Sequence, residues 1–259
     1  MLILLPPSEG KAVPRRGKQL ALGDLDFAGL TDARRRVLTT LVELCATDPE
    51  AAAAALGLGP GQRDLVTRNA RLLTAPVARA DRIYTGVLYD ALGLDSLDAA
   101  ARRRATRWLV IMSSLLGAVR PNDPIPSYRL SGDTRLPGLG IVSAHWRAHL
   151  DEVLTEAAGN GLVVDLRSAT YAAFWRPAAA VAPRVATVRV LHQVGDERKV
   201  VSHFNKATKG RIVRDLLTDG SAPRTPGQLA DHLASLGWKV EAQPPTRAGQ
   251  QLDVIIDDL

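Results

Sequence analysis

The chain has 259 residues, of which 46% are apolar and 23% are charged, and its formal net charge is +6. A composition this apolar builds a core and excludes wholesale disorder, and no apolar run approaches the roughly 18 residues of a membrane span, so no membrane partner is expected. The single cysteine, Cys45, cannot form an internal disulfide, which favours a cytoplasmic location, and the modest positive charge favours a polyanionic partner.

Hydrophobic periodicity predicts elements along the whole chain. The apolar run Leu2–Leu5 predicts a buried strand, and a surface loop follows it. Capping residues predict helices that begin near Thr31, Asp48 and Pro60. The later predictions are strands at 82–85 and 108–112 on either side of a helix at 99–107, a loop over 121–137, a helix at 143–158, a strand at 162–166, a hairpin of 185–193 and 199–204 about Gly195-Asp196, helices at 206–217 and 225–236, and strands at 239–242 and 252–256. This order predicts one α+β or mixed α/β domain over residues 1–259, and we take the α+β class, with a mixed sheet surrounded by helices.

A glycine-rich turn joins the second and third predicted helices. Such a turn is typical of a helix–hairpin–helix, in which backbone amides hold a DNA phosphate. A plain turn, with glycine ending one helix and proline starting the next, explains the same residues and is locally favoured. The candidate DNA-binding residues are Leu56, Gly57, Leu58, Gly59, Gly61 and Arg63.

The predicted helix at 206–217 places two lysines beside its apolar stripe. At 100° per residue, Lys206 and Lys209 lie on the same arc as Ile212, Val213 and Leu216. Lysines on the inner side of the first turn oppose the helix dipole, and a bound anion would offset that cost. The alternative is that both side chains extend around the helix start into water.

Polar residues also follow three predicted strands, where sites are common. They are Ser8, Glu9 and Lys11 after the first strand, Ser113 and Ser114 after another, and Asp165, Arg167 and Ser168 after a third. Glu9 and Asp165 can form a carboxylate pair if these strand ends meet. No nucleophile elbow, Walker A motif or dinucleotide fingerprint is present, so no cofactor is predicted.

Two histidines and a glutamate have the spacing of metal ligands on one helix. His145, His149 and Glu152 fall on one face of the predicted helix at 143–158, but apolar residues fill the opposite face. We therefore interpret the stripe as solvated and predict no metal site.

Several ordered motifs together resemble the YaaA family of bacterial peroxide-stress proteins. They are LLPPSEGK at 4–11, YTGVLY at 84–89, SSLLGAVRP at 113–121, PSYRL at 126–130, HW at 145–146, DLRS at 165–168 followed by Tyr171, and SHFNKATKGR at 202–211. The resemblance implies a distinctive α+β fold, a helix–hairpin–helix, a basic cleft and binding of double-stranded DNA. It also implies a role in limiting oxidative DNA damage, linked to iron control. In this chain, 56–61 matches the hairpin, and Lys206 and Lys209 match the cleft.

Three hypotheses follow. The first is a cytoplasmic DNA-binding protein of the peroxide response that binds duplex DNA, including distorted or damaged duplex. The second is an enzyme acting on a nucleoside, nucleotide or damaged base, with Glu9 or Asp165 as the acid/base. The third is a scaffold for protein partners. The candidate cleft residues are Ser8, Lys11, Ser113, Arg120, Arg129, Ser168, Tyr171, Lys206 and Lys209.

Overall fold

A computed structural model describes residues 1–195 and 197–257, with side chains for all of these except residues 202 and 203. The strands are β1 (Leu2–Leu5), β2 (Val77–Arg79), β3 (Leu109–Ser113), β4 (Gly117–Val119), β5 (Pro124–Pro126), β6 (Arg135–Leu136), β7 (Gly140–Ile141), β8 (Val163–Asp165), β9 (Val185–Val194), β10 (Glu197–Lys199), β11 (Lys239–Ala242) and β12 (Gln250–Ile256). The helices are α1 (Thr31–Thr47), α2 (Pro49–Ala55), α3 (Asp64–Ala70), α4 (Ala80–Ile83), α5 (Val87–Leu92), α6 (Ala99–Trp108), α7 (Val142–Arg147), α8 (Asp151–Ala158), α9 (Ala169–Ala172), α10 (Ser202–Asp219) and α11 (Pro226–Ser235).

A mixed sheet forms the centre of the molecule. Its strand order is β11-β12-β9-β8-β1-β3-β4, and β10 also pairs with β9. Strands β12, β9, β8, β1 and β3 run parallel to one another, whereas β11 and β4 are antiparallel to their neighbours. The α+β class with a mixed sheet and surrounding helices is confirmed. The extent of the domain stays a prediction.

The first strand lies in the interior of this sheet. All four residues of β1 are buried, and β1 pairs with β3 on one side and β8 on the other. The chain passes from β1 outward to β3, then returns across β1 to β8 and continues outward to β9 and β12. Connections therefore leave β1 and β8 in opposite directions, which opens a crevice at the carboxyl ends of these two strands.

Several element predictions hold. The strand at 2–5, the helix at 99–107 and the strand at 108–112 match β1, α6 and β3 within a residue or two. The predicted cap of α2 is also present, because the Asp48 carboxylate accepts a hydrogen bond from the Ala51 amide at 2.9 Å.

Other element predictions are wrong. Residues 80–83 form helix α4 although 82–85 has the β-favouring composition of a strand. The helix predicted at 143–158 is divided into α7 and α8, because the His149 and Ala148 amides bond three residues back and tighten the turn. Helix α10 begins at Ser202, a turn before its predicted start, and only Lys199 of the predicted strand at 199–204 is extended in β10. The turn predicted at Gly195-Asp196 includes Asp196, which lies outside the described residues.

Candidate functional site

A cavity of about 490 Å³ lies at the crevice that the sheet topology creates. We call it the central cavity. The loop after β1 and the loop after β8 form two of its walls, and the starts of α5 and α10 supply further lining residues. Residues from distant parts of the chain therefore meet at the point where open parallel sheets place their ligands.

The structure brings many of the sequence-predicted residues to this cavity. Those that line it are Ser8, Glu9, Lys11, Arg129, Ser168, Tyr171, Lys206 and Lys209. Four of them are cationic and one, Glu9, is a carboxylate. Because these groups share one concave surface, the cavity is suited to an anionic ligand.

Lys11 is held in place by the backbone and by two aromatic rings. Its Nζ donates to the Ser8 carbonyl at 2.7 Å, and it lies 4.4 Å from the ring centroid of Tyr128 and 5.6 Å from that of Tyr84. Burial and, to a smaller extent, the charge of Arg129 lower the pKa of Lys11 to about 7, although the charge of Glu9 acts in the opposite direction. Lys11 therefore changes its charge near neutral pH.

The two lysines of α10 have different surroundings. Lys209 is 8% exposed and its Nζ donates to the Leu166 carbonyl at 3.1 Å, whereas Lys206 is exposed at the edge of the cavity. Burial lowers the pKa of Lys209, and the charge of Asp165 partly opposes that change. Both lysines lie in the second turn of α10, because the helix starts earlier than predicted, so the dipole argument for an anion at its first turn does not apply to them.

Asp165 does not join Glu9 in a carboxylate pair at the cavity. It is 7% exposed and forms a two-point ion pair with Arg167, whose Nε and Nη2 donate to the two carboxylate oxygens at 2.9 and 2.7 Å. Burial alone would raise the pKa of Asp165, but the charge and hydrogen bonds of Arg167 outweigh it, so the pKa lies below its usual value. Arg167 also donates to the Tyr171 and Trp175 carbonyls, and the pair thereby fixes the loop that carries Ser168.

Two other candidate cleft residues lie away from the cavity. Ser113 is buried, where its hydroxyl bonds to the Tyr128 hydroxyl at 2.8 Å and accepts from the Leu116 amide. Arg120 donates to the Arg107 and Leu109 carbonyls at 2.9 and 3.0 Å. Both residues stabilise neighbouring backbone in this structure.

The glycine-rich turn lies elsewhere on the molecule, and none of its six candidate residues is among the described residues that line the central cavity. Helices α2 and α3 flank it, and Gly57 has the left-handed conformation, with φ +63°, that ends a helix. Arg63 forms an ion pair with Glu50, whose Oε2 accepts from Nη2 at 2.7 Å. Both a plain turn and a DNA-binding hairpin are consistent with this geometry.

Three buried tyrosines are absent from the sequence-based candidates, and one of them, Tyr89, lines the cavity. The Tyr84 and Tyr128 hydroxyls share a hydrogen bond at 3.0 Å, and Tyr89 donates to the Pro6 carbonyl at 2.7 Å. Burial raises the pKa of all three, so their hydroxyls stay protonated at neutral pH. The motifs at 84–89 and 126–130 contain them and were the available signal.

Asn205 presents a further polar group. It lines the cavity, and its buried Oδ1 has no hydrogen-bond partner among the described residues. A ligand with an N–H or O–H group would satisfy this acceptor.

Of the three residues predicted to face solvent on one helix, His149 and Glu152 are exposed, but the prediction is wrong for His145. His145 is 8% exposed, its Nε2 donates to the Ala33 carbonyl at 3.2 Å, and burial lowers its pKa. The short α7 turns inward here to pack His145 edge-on against Trp146, with ring centroids 4.9 Å apart. The described residues contain no group of three or more His, Cys, Asp or Glu side chains that could hold a metal ion.

Comparison with known proteins decides the family. The sequence profile of the family described as peroxide stress protein YaaA matches residues 1–243. The chain belongs to the YaaA family. All residues that line the central cavity lie within the matched region. The resemblance that the motifs indicate is thus confirmed.

Relatives of this YaaA-family chain occur in several bacteria. A UPF0246 protein of Streptomyces coelicolor is 59% identical over 261 residues, which covers 100% of each chain. A UPF0246 protein of Corynebacterium efficiens is 43% identical over 244 residues, covering 93% of this chain and 95% of the relative. An uncharacterized protein of Campylobacter jejuni is 30% identical over 142 residues, covering 55% of this chain and 54% of the relative. Among the described residues, no helix of this YaaA-family protein is long and apolar enough to cross a membrane.

Proposed function

We propose that this YaaA-family protein serves the peroxide response by binding double-stranded DNA, including distorted or damaged duplex, in the cytoplasm. The observation that best supports this is the convergence of Lys11, Arg129, Lys206 and Lys209 on one cavity, where Glu9 is the one carboxylate among the described lining residues. Cations that neutralise phosphates release condensed counterions, which favours binding to a polyanion.

Two of the four cations are suited to backbone phosphates. Lys206 is exposed at the cavity edge and Arg129 is half-buried, whereas the amine of Lys209 donates to the Leu166 carbonyl. We therefore assign phosphate contacts to Lys206 and Arg129. The cavity volume of about 490 Å³ suits one nucleotide-sized group. In this proposal the duplex lies across the cavity and one group enters it.

The glycine-rich turn supplies a second contact in this proposal. A Cβ atom placed at Gly59 or Gly61 would meet nothing within 4 Å, so a phosphate can approach the backbone there. Arg63 would exchange its partner Glu50 for that phosphate. Because Glu50 competes with the phosphate for Arg63, the strength of the contact between the turn and DNA depends on Glu50.

Binding across a salt series tests the proposal. A fluorescent duplex, and the same duplex with a bubble, is titrated with wild type and with the R129A/K206A variant. Loss of two phosphate contacts should flatten the slope of log K against log[salt] by about two. Exposed Lys18 does not line the cavity, and K18A is the matched control with an expected wild-type slope.

The hairpin contact has its own variants. R63A should flatten the slope by about one, and E50Q should tighten binding because it releases Arg63 from its ion pair. An unchanged slope in R129A/K206A, or no binding at near-physiological salt, would contradict the proposal for the cavity. Unchanged binding in both R63A and E50Q would contradict the proposed contact between the glycine-rich turn and DNA.

A second candidate function is an enzyme that acts on a nucleoside, nucleotide or damaged base. It is favoured by the position of the cavity at the crevice between β1 and β8, with Glu9 among the lining residues. Arg167 occupies the carboxylate of Asp165, so Glu9 is the acid/base candidate that faces the cavity. A thermal-shift screen of nucleotides and nucleosides tests this function. Binding of neither DNA nor nucleotides would favour a scaffold for protein partners.

A further inference from the structure

We propose that Lys11 is a nucleophilic amine that forms a Schiff base with the open-chain aldehyde of a deoxyribose phosphate, the chemistry of an abasic site in DNA. The inference rests on the proposed function in one respect, namely that the aldehyde comes from DNA. It goes further by assigning covalent chemistry to one residue of the central cavity.

The position of Lys11 supports this assignment. The backbone around it is fixed, because Lys11 pairs with Tyr84 in an isolated bridge and the Ala12 amide donates to the Ile83 carbonyl at 2.9 Å. Its Nζ lies against the Tyr128 ring and donates to the Ser8 carbonyl. An amine held in a cavity wall attacks a bound ligand without first losing conformational freedom.

The protonation of Lys11 suits attack at neutral pH. An ordinary lysine has roughly one neutral amine in 2,500 at pH 7. Burial brings the pKa of Lys11 to about 7, so about half of its amines are neutral there. The other two cavity lysines differ from Lys11 in exposure, because Lys209 is buried at 8% exposed, Lys206 is exposed, and Lys11 is half-buried.

The step balances without any other reactant. The neutral Lys11 nitrogen adds to the aldehyde carbon, and the first of its two protons passes to the carbonyl oxygen, which becomes a hydroxyl group. The Glu9 carboxylate, in the same cavity, takes a proton from the nitrogen and gives it to that hydroxyl, which leaves as water. The product is an imine between Lys11 and the sugar.

The cavity also explains why the aldehyde should carry a phosphate. Arg129 and Lys206 line the same cavity as Lys11 and are suited to hold the phosphate of the same sugar. An abasic nucleotide lacks its base and leaves the helical stack at little cost, so its sugar can enter a cavity of about 490 Å³. Such a sugar phosphate is found either within DNA or free in solution.

Reductive trapping tests the proposal on the full chain. The protein is incubated with sodium cyanoborohydride and one of three probes, namely a duplex with one abasic site, the same duplex intact, or free 2-deoxyribose 5-phosphate. Hydride adds to the imine carbon and makes the link permanent. We expect an adduct with the abasic duplex and with the free sugar phosphate, none with the intact duplex, and peptide mass mapping that places both at Lys11.

Variants separate a nucleophile from a structural lysine. K11R keeps a cation but should lower the adduct yield at least tenfold, whereas K18A should match wild type. The rate of trapping should rise with pH to a plateau above about 7. R129M should move that midpoint upward, because the charge of Arg129 lowers the pKa of Lys11. If Lys11 had only a structural role, the trapping rate would show no pH midpoint that R129M could shift.

The outcomes are distinct. No adduct with either aldehyde probe, or an adduct at another lysine, overturns the proposal. An adduct with the free sugar phosphate alone, from a protein that fails to bind duplex DNA, overturns the DNA source and the proposed function but supports Lys11 as the nucleophile. An adduct with the abasic duplex at Lys11 supports both.

Discussion

Removing one partner of the buried ion pair between Asp165 and Arg167 should cost more stability than breaking any exposed ion pair among the described residues. Asp165→Asn removes one charge of a buried pair and leaves the Arg167 guanidinium without its counter-ion. Breaking a buried pair in this way typically costs 3–5 kcal/mol. Arg167 keeps its bonds to the Tyr171 and Trp175 carbonyls, so we expect the lower end, about 3 kcal/mol.

Urea unfolding measures this cost. With an m-value of about 3 kcal/mol/M, a loss of about 3 kcal/mol lowers the midpoint by about 1 M. Asp24 is exposed, so D24N is the matched control, with an expected change within about 0.5 kcal/mol. In the D165N/R167M double variant, removal of both charges should cost less than the sum of the single variants.

The same pair predicts a pH dependence. Because the folded-state pKa of Asp165 lies below its unfolded value of about 3.9, its stabilisation is present above that value and is lost as the pH falls through the folded pKa. D165N should flatten this acid limb. A loss below about 1 kcal/mol in D165N, with the acid limb unchanged, would refute the reasoning. A loss of function in D165N should accompany a loss of stability, so by itself it would not identify a catalytic carboxylate.

The packing of three buried residues gives three further predictions about stability. A Cβ atom at Gly210 would lie 2.2 Å from the Leu88 carbonyl oxygen, so G210A should cost at least 1–3 kcal/mol in thermal unfolding; G227A, on open helix surface, is its control and should be neutral or stabilising. Tyr128→Phe leaves two buried hydroxyls one partner short and should cost about 1–3 kcal/mol in urea unfolding. Because the folded-state pKa of His145 is lowered, the unfolded state binds more protons, and stability should fall as the pH drops below about 6.5; a wild-type pH profile that H145Q does not flatten would contradict this.

Sequence reasoning succeeded where local pattern and tertiary burial agree. The run Leu2–Leu5 is apolar throughout, as expected for a strand buried on both faces, and the structure has it at the centre of the sheet. It failed where tertiary contacts override local preference. Residues 80–83 form a helix because the Ala80 and Asp81 amides bond to the loop at 121–123, a contact that no local pattern reveals.

The candidate site was predictable in part for the same reason. Parallel strands end at one edge of a sheet, so the residues after β1 and β8 could be expected to meet, and Ser8, Lys11 and Ser168 do. The surroundings of Asp165 were not predictable. Whether its carboxylate pairs with Arg167 or meets Glu9 at the cavity depends on the direction of the side chains, which the sequence does not reveal. The lowered pKa of Lys11 was also hidden, since it depends on burial beside Tyr84 and Tyr128.

The interior position of β1 sets a delay during synthesis. Leu2–Leu5 leaves the ribosome well before its partners, which begin at residue 109 in β3 and residue 163 in β8. At 5–20 residues per second, β1 waits roughly 5 to 20 s for its first partner strand. Throughout that time a wholly apolar segment has no strand to pair with and is open to aggregation. A nascent-chain chaperone that recognises short apolar segments would therefore find a target in the strand that leads directly into one wall of the site.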